Sequence, residues 1–237
     1  MKKFVVEKEF WELFPEAQVN VLIIKGMDNH VDESDRNYFV ELLEKGKQDA
    51  ETFLTEEVFS QNPVVAEWRT AFQQFKTKKG ARSSIEALLK RVSQDRNFSP
   101  INPLVDIYNS VSLKYAVPCG GEDTDVIAGD LRLGKAGGGE PFFPLGADSD
   151  SPALPGEIIY YDDEGAVCRC LNWREAKRTM LQEETEHAVL VMESVNAEQA
   201  ERANKAAEEL KTLVDAYFKL DSTATVLTKD DRSLIVG

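Results

Sequence analysis

The sequence predicts an α+β protein in which helices pack on mixed or mainly antiparallel β-sheets. Apolar residues of the stretch 103–115 recur every three or four positions, which is the period of one helical face. Residues 156–161 and 166–172 are apolar runs on either side of a polar turn, which is typical of a β-hairpin. The 237 residues, 42% hydrophobic and 30% charged, indicate a soluble globular chain that is able to bury a core.

The first third of the chain predicts one strand followed by helices. Residues 18–25 are apolar and β-branched, and the spacing of apolar residues in 33–58 and 65–77 is helical, with Gly46 as a place where the first helix bends or divides. We expect three segments in one compact domain: an N-terminal extension of residues 1–80, a core of residues 81–195, and a C-terminal helix and strands of residues 196–237.

The central helix has clear boundary signals. Asn102 suits the N-cap and Pro103 the first helical position, so the helix begins there. After Pro118, the pair Gly120 and Gly121 predicts a turn in which glycine permits a positive φ and the close approach of a ligand. The pattern alone favours a buried helix with a purely structural exit.

A second helix, predicted at residues 85–92, follows a basic segment. Ser83 or Ser84 would cap it, and the free N–H groups of a helix N-terminus attract anions. Arg82, Ser83 and Ser84 therefore form either a docking point for a phosphate or carboxylate or a simple N-cap.

The stretch Asn172-Trp173-Arg174-Glu175 combines hydrogen-bond donors, acceptors and one stacking surface at the end of a predicted strand. Such a group can hold the amine, carboxylate or ester of an aminoacyl group, or stack on an adenine. The structural alternative is a surface pair between Arg174 and Glu175, with Trp173 in the core.

No cofactor or metal is predicted. The glycine-rich run 135–140 lacks the Gly-Lys-Ser/Thr ending of a phosphate-binding loop, and Cys168 and Cys170 have no neighbouring ligands and suit small buried positions on one side of a strand. The odd number of cysteines, three, favours a reducing compartment, and no run of about 20 apolar residues predicts a membrane span. We therefore expect a cytoplasmic protein with no membrane partner.

The net charge of −14 argues against general attraction to nucleic acid. An RNA contact would need a local basic patch, and the alternative for the same residues is a solvated helix face and its connecting loop. The candidates are Lys76, Lys78, Lys79, Arg82, Lys90, Arg91 and Arg96.

The C-terminal segment predicts a helix capped by Asn196 with Gln199 three residues later. This helix packs on the domain or, alternatively, pairs with a second copy in a homodimer. Residues 223–227 and 233–236 predict a final pair of strands.

Several runs in order along residues 81–194 resemble one family. The run PINPLVDIYNSVSLKYAVP, together with ARSSIEALLKRV, DVIAGDLRL, GEIIYYDDEGAVCRCLNWREAKRT and TEHAVLVMES, is similar to the tRNA-editing domain of the bacterial phenylalanyl-tRNA synthetase beta subunit. That domain is built from the third and fourth structural modules of the subunit, and freestanding proteins that carry it alone are more similar still. The resemblance implies the α+β editing-domain fold.

The resemblance also implies a function. It suggests a trans-editing aminoacyl-tRNA hydrolase or a tRNA-binding protein, with the tRNA acceptor end as partner and, for the hydrolase, proofreading without a catalytic triad. Asn109 matches the family's pocket asparagine, and with Gly120 and Gly121 it would lie near the ester. The implied substrate-binding residues are Arg82, Ser83, Ser84, Asn172, Trp173, Arg174 and Glu175.

Two departures from the family put tyrosine specificity in doubt. Gly120 stands near the position of a family histidine, and Thr179 and Met180 stand where the family has a glutamate that recognises the tyrosine hydroxyl. The alternative function is a non-catalytic module that binds a small amino-acid-like ligand, which the acidic net charge favours.

Overall fold

Ten strands form two β-sheets, and six α-helices pack against them; two short 3₁₀ helices lie at Glu33–Asp35 and Phe59–Gln61. The computed structural model describes residues 1–237. The helices are α1 (Lys8–Leu13), α2 (Arg36–Glu51), α3 (Pro63–Phe72), α4 (Ser84–Val92), α5 (Pro103–Tyr115) and α6 (Ala197–Phe218). The strands are β1 (Lys3–Val6), β2 (Gln18–Lys25), β3 (Gly120–Asp123), β4 (Leu131–Lys135), β5 (Ile158–Asp162), β6 (Gly165–Arg169), β7 (Arg174–Glu175), β8 (His187–Ser194), β9 (Thr223–Leu227) and β10 (Ser233–Ile235).

The larger sheet has the strand order β10-β1-β4-β5-β6-β7, and the smaller has the order β3-β8-β2-β9. Only the β1–β4 pair is parallel. The predicted α+β class with mixed and antiparallel sheets is confirmed, and the predicted hairpin is β5 and β6. None of the six helices has the length and apolar character that crossing a bilayer requires.

Strand β2 separates two hydrophobic cores. Val19, Val21 and Ile23 belong to a core that fills the space between the two sheets, while Leu22 and Ile24 belong to a second core under α5 and α6. Side chains of a strand alternate between its faces, so a strand buried on both sides is apolar throughout. The smaller sheet is therefore the middle layer of the molecule.

The two C-terminal strands do not pair with each other as the sequence suggests. Strand β9 pairs with β2 in the smaller sheet, and β10 pairs with β1 in the larger one. Both β1 and β2 offer an edge that would otherwise leave backbone groups unpaired, and each C-terminal strand satisfies one of these edges. The N-terminal and C-terminal segments thus contribute strands to both sheets.

Helix α5 begins and ends as predicted. The Asn102 side-chain oxygen accepts a hydrogen bond from the Val105 N–H at 3.0 Å, and the helix ends at Tyr115 with Ala116 in the left-handed region at φ 50°. The predicted glycine turn is wrong, because Gly120 and Gly121 open strand β3 and neither has a positive φ.

Gly46 neither bends nor divides α2, which runs unbroken from Arg36 to Glu51. Its role is steric: a Cβ atom at Gly46 would lie 2.8 Å from the carbonyl oxygen of Ser110 on α5. The missing side chain therefore allows the two helices to touch backbone to backbone.

Replacing Gly46 tests this contact. Gly46→Ala gains about 1 kcal/mol of helix propensity but forces α5 away, which costs about 1–3 kcal/mol, so we expect a net loss of stability. Urea unfolding measures it, with Glu41→Ala on the exposed face of α2 as a control that stays within about 0.5 kcal/mol. A stabilised Gly46→Ala protein would contradict the close helix contact.

Candidate functional site

A cavity of about 370 Å³ lies between the two sheets. From the larger sheet, Tyr160, Cys168 and Glu175 are successive cross-strand neighbours on β5, β6 and β7, and all three line the cavity. The smaller sheet supplies the opposite wall, and its lining residues are Gly120, Gly121, Glu122, Val189, Val191 and Glu193.

Strand alternation decides what β3 presents to the cavity. A Cβ atom on Gly120 would lie 3.7 Å from the Glu175 Oε1 atom, so this position faces the cavity, and Glu122 two residues on shares its face. A Cβ atom on Gly121 would instead overlap the side chain of Leu190 in the second core. The first glycine keeps the cavity open, and the second lets the strand pack.

Glu193 is buried and hydrogen-bonded on both carboxylate oxygens. Tyr160 donates its hydroxyl to Oε1 at 2.5 Å, and Asn172 donates its Nδ2 group to Oε2 at 3.1 Å. Burial raises the pKa of the Glu193 carboxyl, and the two hydrogen bonds oppose that shift. This glutamate is structurally satisfied.

Glu122 and Glu175 form a second acidic group whose hydrogen bonds are fewer than those of Glu193. Burial raises the pKa of Glu122 well above its usual range and the neighbouring Glu175 carboxylate raises it further, while the Thr179 hydroxyl and the Arg178 charge oppose the shift. The Oε2 atom of Glu122 has no partner at ordinary hydrogen-bond geometry. Burial also raises the pKa of Glu175 to about 7, against the opposing effect of the Gly121 backbone. Glu175 therefore exchanges a proton near neutral pH, beside a second carboxyl, Glu122, whose pKa is also raised.

The rim of the cavity is cationic around Trp173. The Arg174 guanidinium lies 5.2 Å and the Lys78 ammonium 5.7 Å from the ring of Trp173, and neither cation forms a salt bridge. The buried Arg169 also approaches this ring, at 6.0 Å, but its charge is matched by the buried Glu157. The Lys78 ammonium donates a hydrogen bond to the Ser151 hydroxyl at 2.8 Å, but no carboxylate matches its charge or that of Arg174, so both attract anions.

The structure brings seven of the ten predicted site residues to this cavity. They are Gly120, Gly121, Ser84, Asn172, Trp173, Arg174 and Glu175. The surface pair considered for Arg174 and Glu175 does not form, since Glu175 lines the cavity and Arg174 is exposed over the Trp173 ring.

Three predicted residues lie elsewhere. Asn109 is half-buried on α5 and does not line the cavity, so its catalytic role stays a prediction. Arg82 borders a separate surface groove beside Arg69 and Glu86. Ser83 is buried at the N-cap of α4 outside the lining.

The N-terminus of α4 is not a simple side-chain cap. Neither the Ser83 nor the Ser84 hydroxyl oxygen has a hydrogen-bond partner, although Ser84 lines the cavity. The Ser84 N–H is used by the Asn172 carbonyl oxygen at 3.0 Å, which ties the helix to the cavity wall.

Sequence reasoning missed Glu122, Glu193 and Tyr160, and it assigned Cys168 to the core alone. Cys168 is buried as expected and also lines the cavity, but Cys170 does not share its side, because the strand ends at Arg169 and Cys170 lies in a turn with φ 49°. The missed signal was an acidic residue inside a strand that is otherwise apolar, as in HAVLVMES.

The two glycines of β3 should respond differently to alanine. Gly121→Ala pushes a methyl group into Leu190 and should lose about 1–3 kcal/mol of stability, whereas Gly120→Ala meets open cavity and should change it by less than about 0.5 kcal/mol. Thermal and urea unfolding of the pair measure this. Equal losses at both positions would refute the assignment of faces.

The buried glutamates should make the protein more stable in mild acid. Their folded pKa values exceed the unfolded ones, so the folded state binds more protons and the free energy of unfolding falls as pH rises from about 4.5 towards about 7 for Glu175. Each such proton corresponds to about 1.4 kcal/mol per pH unit. Urea unfolding at pH 5–8 measures the slope, and Glu175→Gln should flatten it; an unchanged slope would contradict the burial of this carboxyl.

Comparison with known proteins agrees with this architecture. The fold is similar to the crystal structure of an N-terminal fragment of the phenylalanyl-tRNA synthetase beta-subunit from Pyrococcus horikoshii, with a TM-score of 0.50 and 13% sequence identity. The match covers 98% of this chain and 53% of that chain, so the protein spans about half the length of that fragment. No curated protein matches the chain.

The structural match confirms the predicted likeness of fold to the synthetase beta subunit. A match to the B3/4 domain extends over residues 67–219, which is more than half of the sequence and includes every residue that lines the cavity. The chain therefore belongs to the B3/4 domain family.

Proposed function

We propose that the protein hydrolyses the ester bond of mischarged aminoacyl-tRNA in trans, within the cavity between the two sheets. The observation that carries this proposal is Glu175, a carboxyl with a pKa of about 7 beside the uncovered backbone of Gly120. A general base works best when its pKa is close to the operating pH, and a water molecule in this cavity would lie within its reach.

The charges of the cavity suit the two ends of an aminoacyl-tRNA. The interior is acidic, with Glu122 and Glu175, and accommodates the amino end of an aminoacyl group. At the rim, Trp173 offers a ring on which an adenine stacks, and Lys78 and Arg174 offer unpaired charges to phosphates. The ester would then lie between them.

Hydrolysis needs only water as co-reactant. The Glu175 carboxylate takes a proton from water while the water oxygen bonds to the ester carbonyl carbon. The bond from that carbon to the ribose oxygen then breaks, and the ribose oxygen receives the proton from Glu175. The products are a free amino acid and an uncharged tRNA, and the buried cavity supplies orientation without a covalent intermediate.

The family and fold support a tRNA substrate, since the similar structure is a fragment of a phenylalanyl-tRNA synthetase subunit. Arg82 and Ser84, in the neighbouring groove and the cavity wall, would meet the acceptor end. The net charge of −14 favours a second candidate, a module that binds a small amino-acid-like ligand without hydrolysis.

Release of amino acid from a panel of mischarged tRNAs tests the proposal. We expect selective hydrolysis whose rate rises with pH through about 7, because Glu175 must be ionised to act as base. Glu175→Gln should lower kcat by about 10²–10⁴-fold, whereas Arg174→Ala should mainly raise KM, and more so at low salt. Glu41→Gln on the exposed face of α2 serves as the matched control.

Two outcomes would decide against parts of this proposal. No release from any tRNA would favour the small-ligand module, and full activity of a folded Glu175→Gln protein would remove Glu175 from the chemistry. Asn109→Ala in the same assay tests the resemblance: a loss of activity in a folded variant would place Asn109 at the site, and retained activity would remove it.

A further inference from the structure

Two hydrogen-bond acceptors in the cavity wall are buried and unpaired. The Oε2 atom of Glu122 and the Oδ1 atom of Asn172 have no partner at ordinary hydrogen-bond geometry, and their residues are 5% and 8% exposed. Both residues line the cavity. The buried Thr179 hydroxyl is close enough to Glu122 to oppose the rise of its pKa, but it carries no charge to match the carboxylate. An unsatisfied buried polar group costs about 1–3 kcal/mol, so a ligand that donates hydrogen bonds to both acceptors would be favoured.

The orientation of the Asn172 amide is set by its neighbour. Its Nδ2 group donates to the Glu193 carboxylate at 3.1 Å, and exchanging the amide nitrogen and oxygen would place two acceptors against each other. The Oδ1 atom is therefore held as an acceptor, and Glu193 fixes the polarity of the site without needing to touch a ligand.

The glutamates that line the cavity favour a ligand that is a cation as well as a hydrogen-bond donor. The Glu175 carboxylate raises the proton affinity of Glu122, and Arg178, which lowers it, is already engaged by Asp162 at 2.7 Å. The three glutamates do not form a group that could hold a metal ion. An ammonium group has three donors, no acceptor and one positive charge, and it meets every requirement of these atoms.

We propose that Glu122 and Asn172 bind the free α-ammonium group of the aminoacyl ligand, so that the cavity rejects ligands whose amino group is blocked. This inference rests on the proposed function, because it assumes that the ligand is an aminoacyl group. Binding of the amine can nevertheless be measured without hydrolysis. The inference names the ligand class as unblocked α-amino compounds with an apolar side chain that fits about 370 Å³.

The bound ammonium also affects Glu175. A positive charge beside a carboxyl pair favours its ionised form, so binding releases a proton that the empty cavity retains. The amino group of the substrate would thus help to convert Glu175 into the carboxylate that acts as base.

The test uses amino-acid amides, because the amide bond resists hydrolysis and binding is then measured apart from catalysis. Isothermal titration at pH 7.5 compares leucinamide, phenylalaninamide and tyrosinamide with their N-acetyl derivatives. We expect the free amines to bind at least about tenfold more tightly than the acetylated ones. Titrations in two buffers of different ionisation enthalpy measure the protons exchanged, and we expect the protein to release protons when a free amine binds.

Glu122→Gln keeps the shape of the side chain and removes its charge. We expect at least about tenfold weaker binding of the free amides, with little effect on the acetylated ones. Its thermal stability should equal or exceed that of the wild type, because a buried acid is removed, and this separates a binding role from a structural one. Glu41→Gln, the same change at an exposed site, should alter neither binding nor stability.

Equal binding of free and acetylated amides by the wild type, or no binding of either up to millimolar concentrations, would overturn the inference without reference to any variant. The two proposals fail separately. If the free amides bind but no aminoacyl-tRNA is hydrolysed, the inference stands and the hydrolase function falls. If N-acetylated aminoacyl-tRNA is hydrolysed as fast as the free form, the inference falls and the hydrolase stands.

Discussion

The burial of glutamate side chains between two β-sheets is the constraint on which the rest of the site depends. An ionised carboxylate removed from water costs several kcal/mol unless hydrogen bonds or a cation compensate. Glu193 receives two hydrogen bonds, whereas Glu122 and Glu175 have no dedicated cation and their pKa values are raised instead. The acidic cavity therefore lowers the stability of the fold, which is expected at a functional site and not in an ordinary core.

A strained turn after β6 positions Asn172 and Trp173 at the cavity. After β6, Cys170 and Leu171 adopt positive φ values of 49° and 63°, which non-glycine residues rarely do. The Leu171 N–H donates to the Ile158 carbonyl at 2.6 Å, and the Lys78 N–H donates to the Cys170 sulfur at 3.4 Å, so both neighbouring segments hold the turn. Its effect is to carry Asn172 to Glu193 and Trp173 to the rim, with the basic loop alongside.

Local signals could be predicted from the sequence, and pairings between distant segments could not. Helix α5 and the β5–β6 hairpin carry their own caps, periods and turns, and both lie where expected. The strand order in each sheet depends on which edge strand β9 and β10 pair with, and no local signal shows this. The glycine pair predicted a turn, whereas in the structure Gly120 lies in a strand and faces the cavity. Glu122 and Glu193 escaped notice because a charge in a strand usually marks an exposed face.

The two ends of the cavity act in different dielectric surroundings. At the rim, Arg174 is exposed and Lys78 is partly exposed, so their attraction for phosphate weakens as salt approaches physiological strength, where the screening length is about 8 Å. Arg169 adds little there because Glu157 already matches its charge. Inside, Glu122 and Asn172 are shielded from ions, so recognition of an amine persists in salt. The acidic net charge therefore opposes only the outer contact, and selection of the ligand by its amino group does not depend on overcoming it.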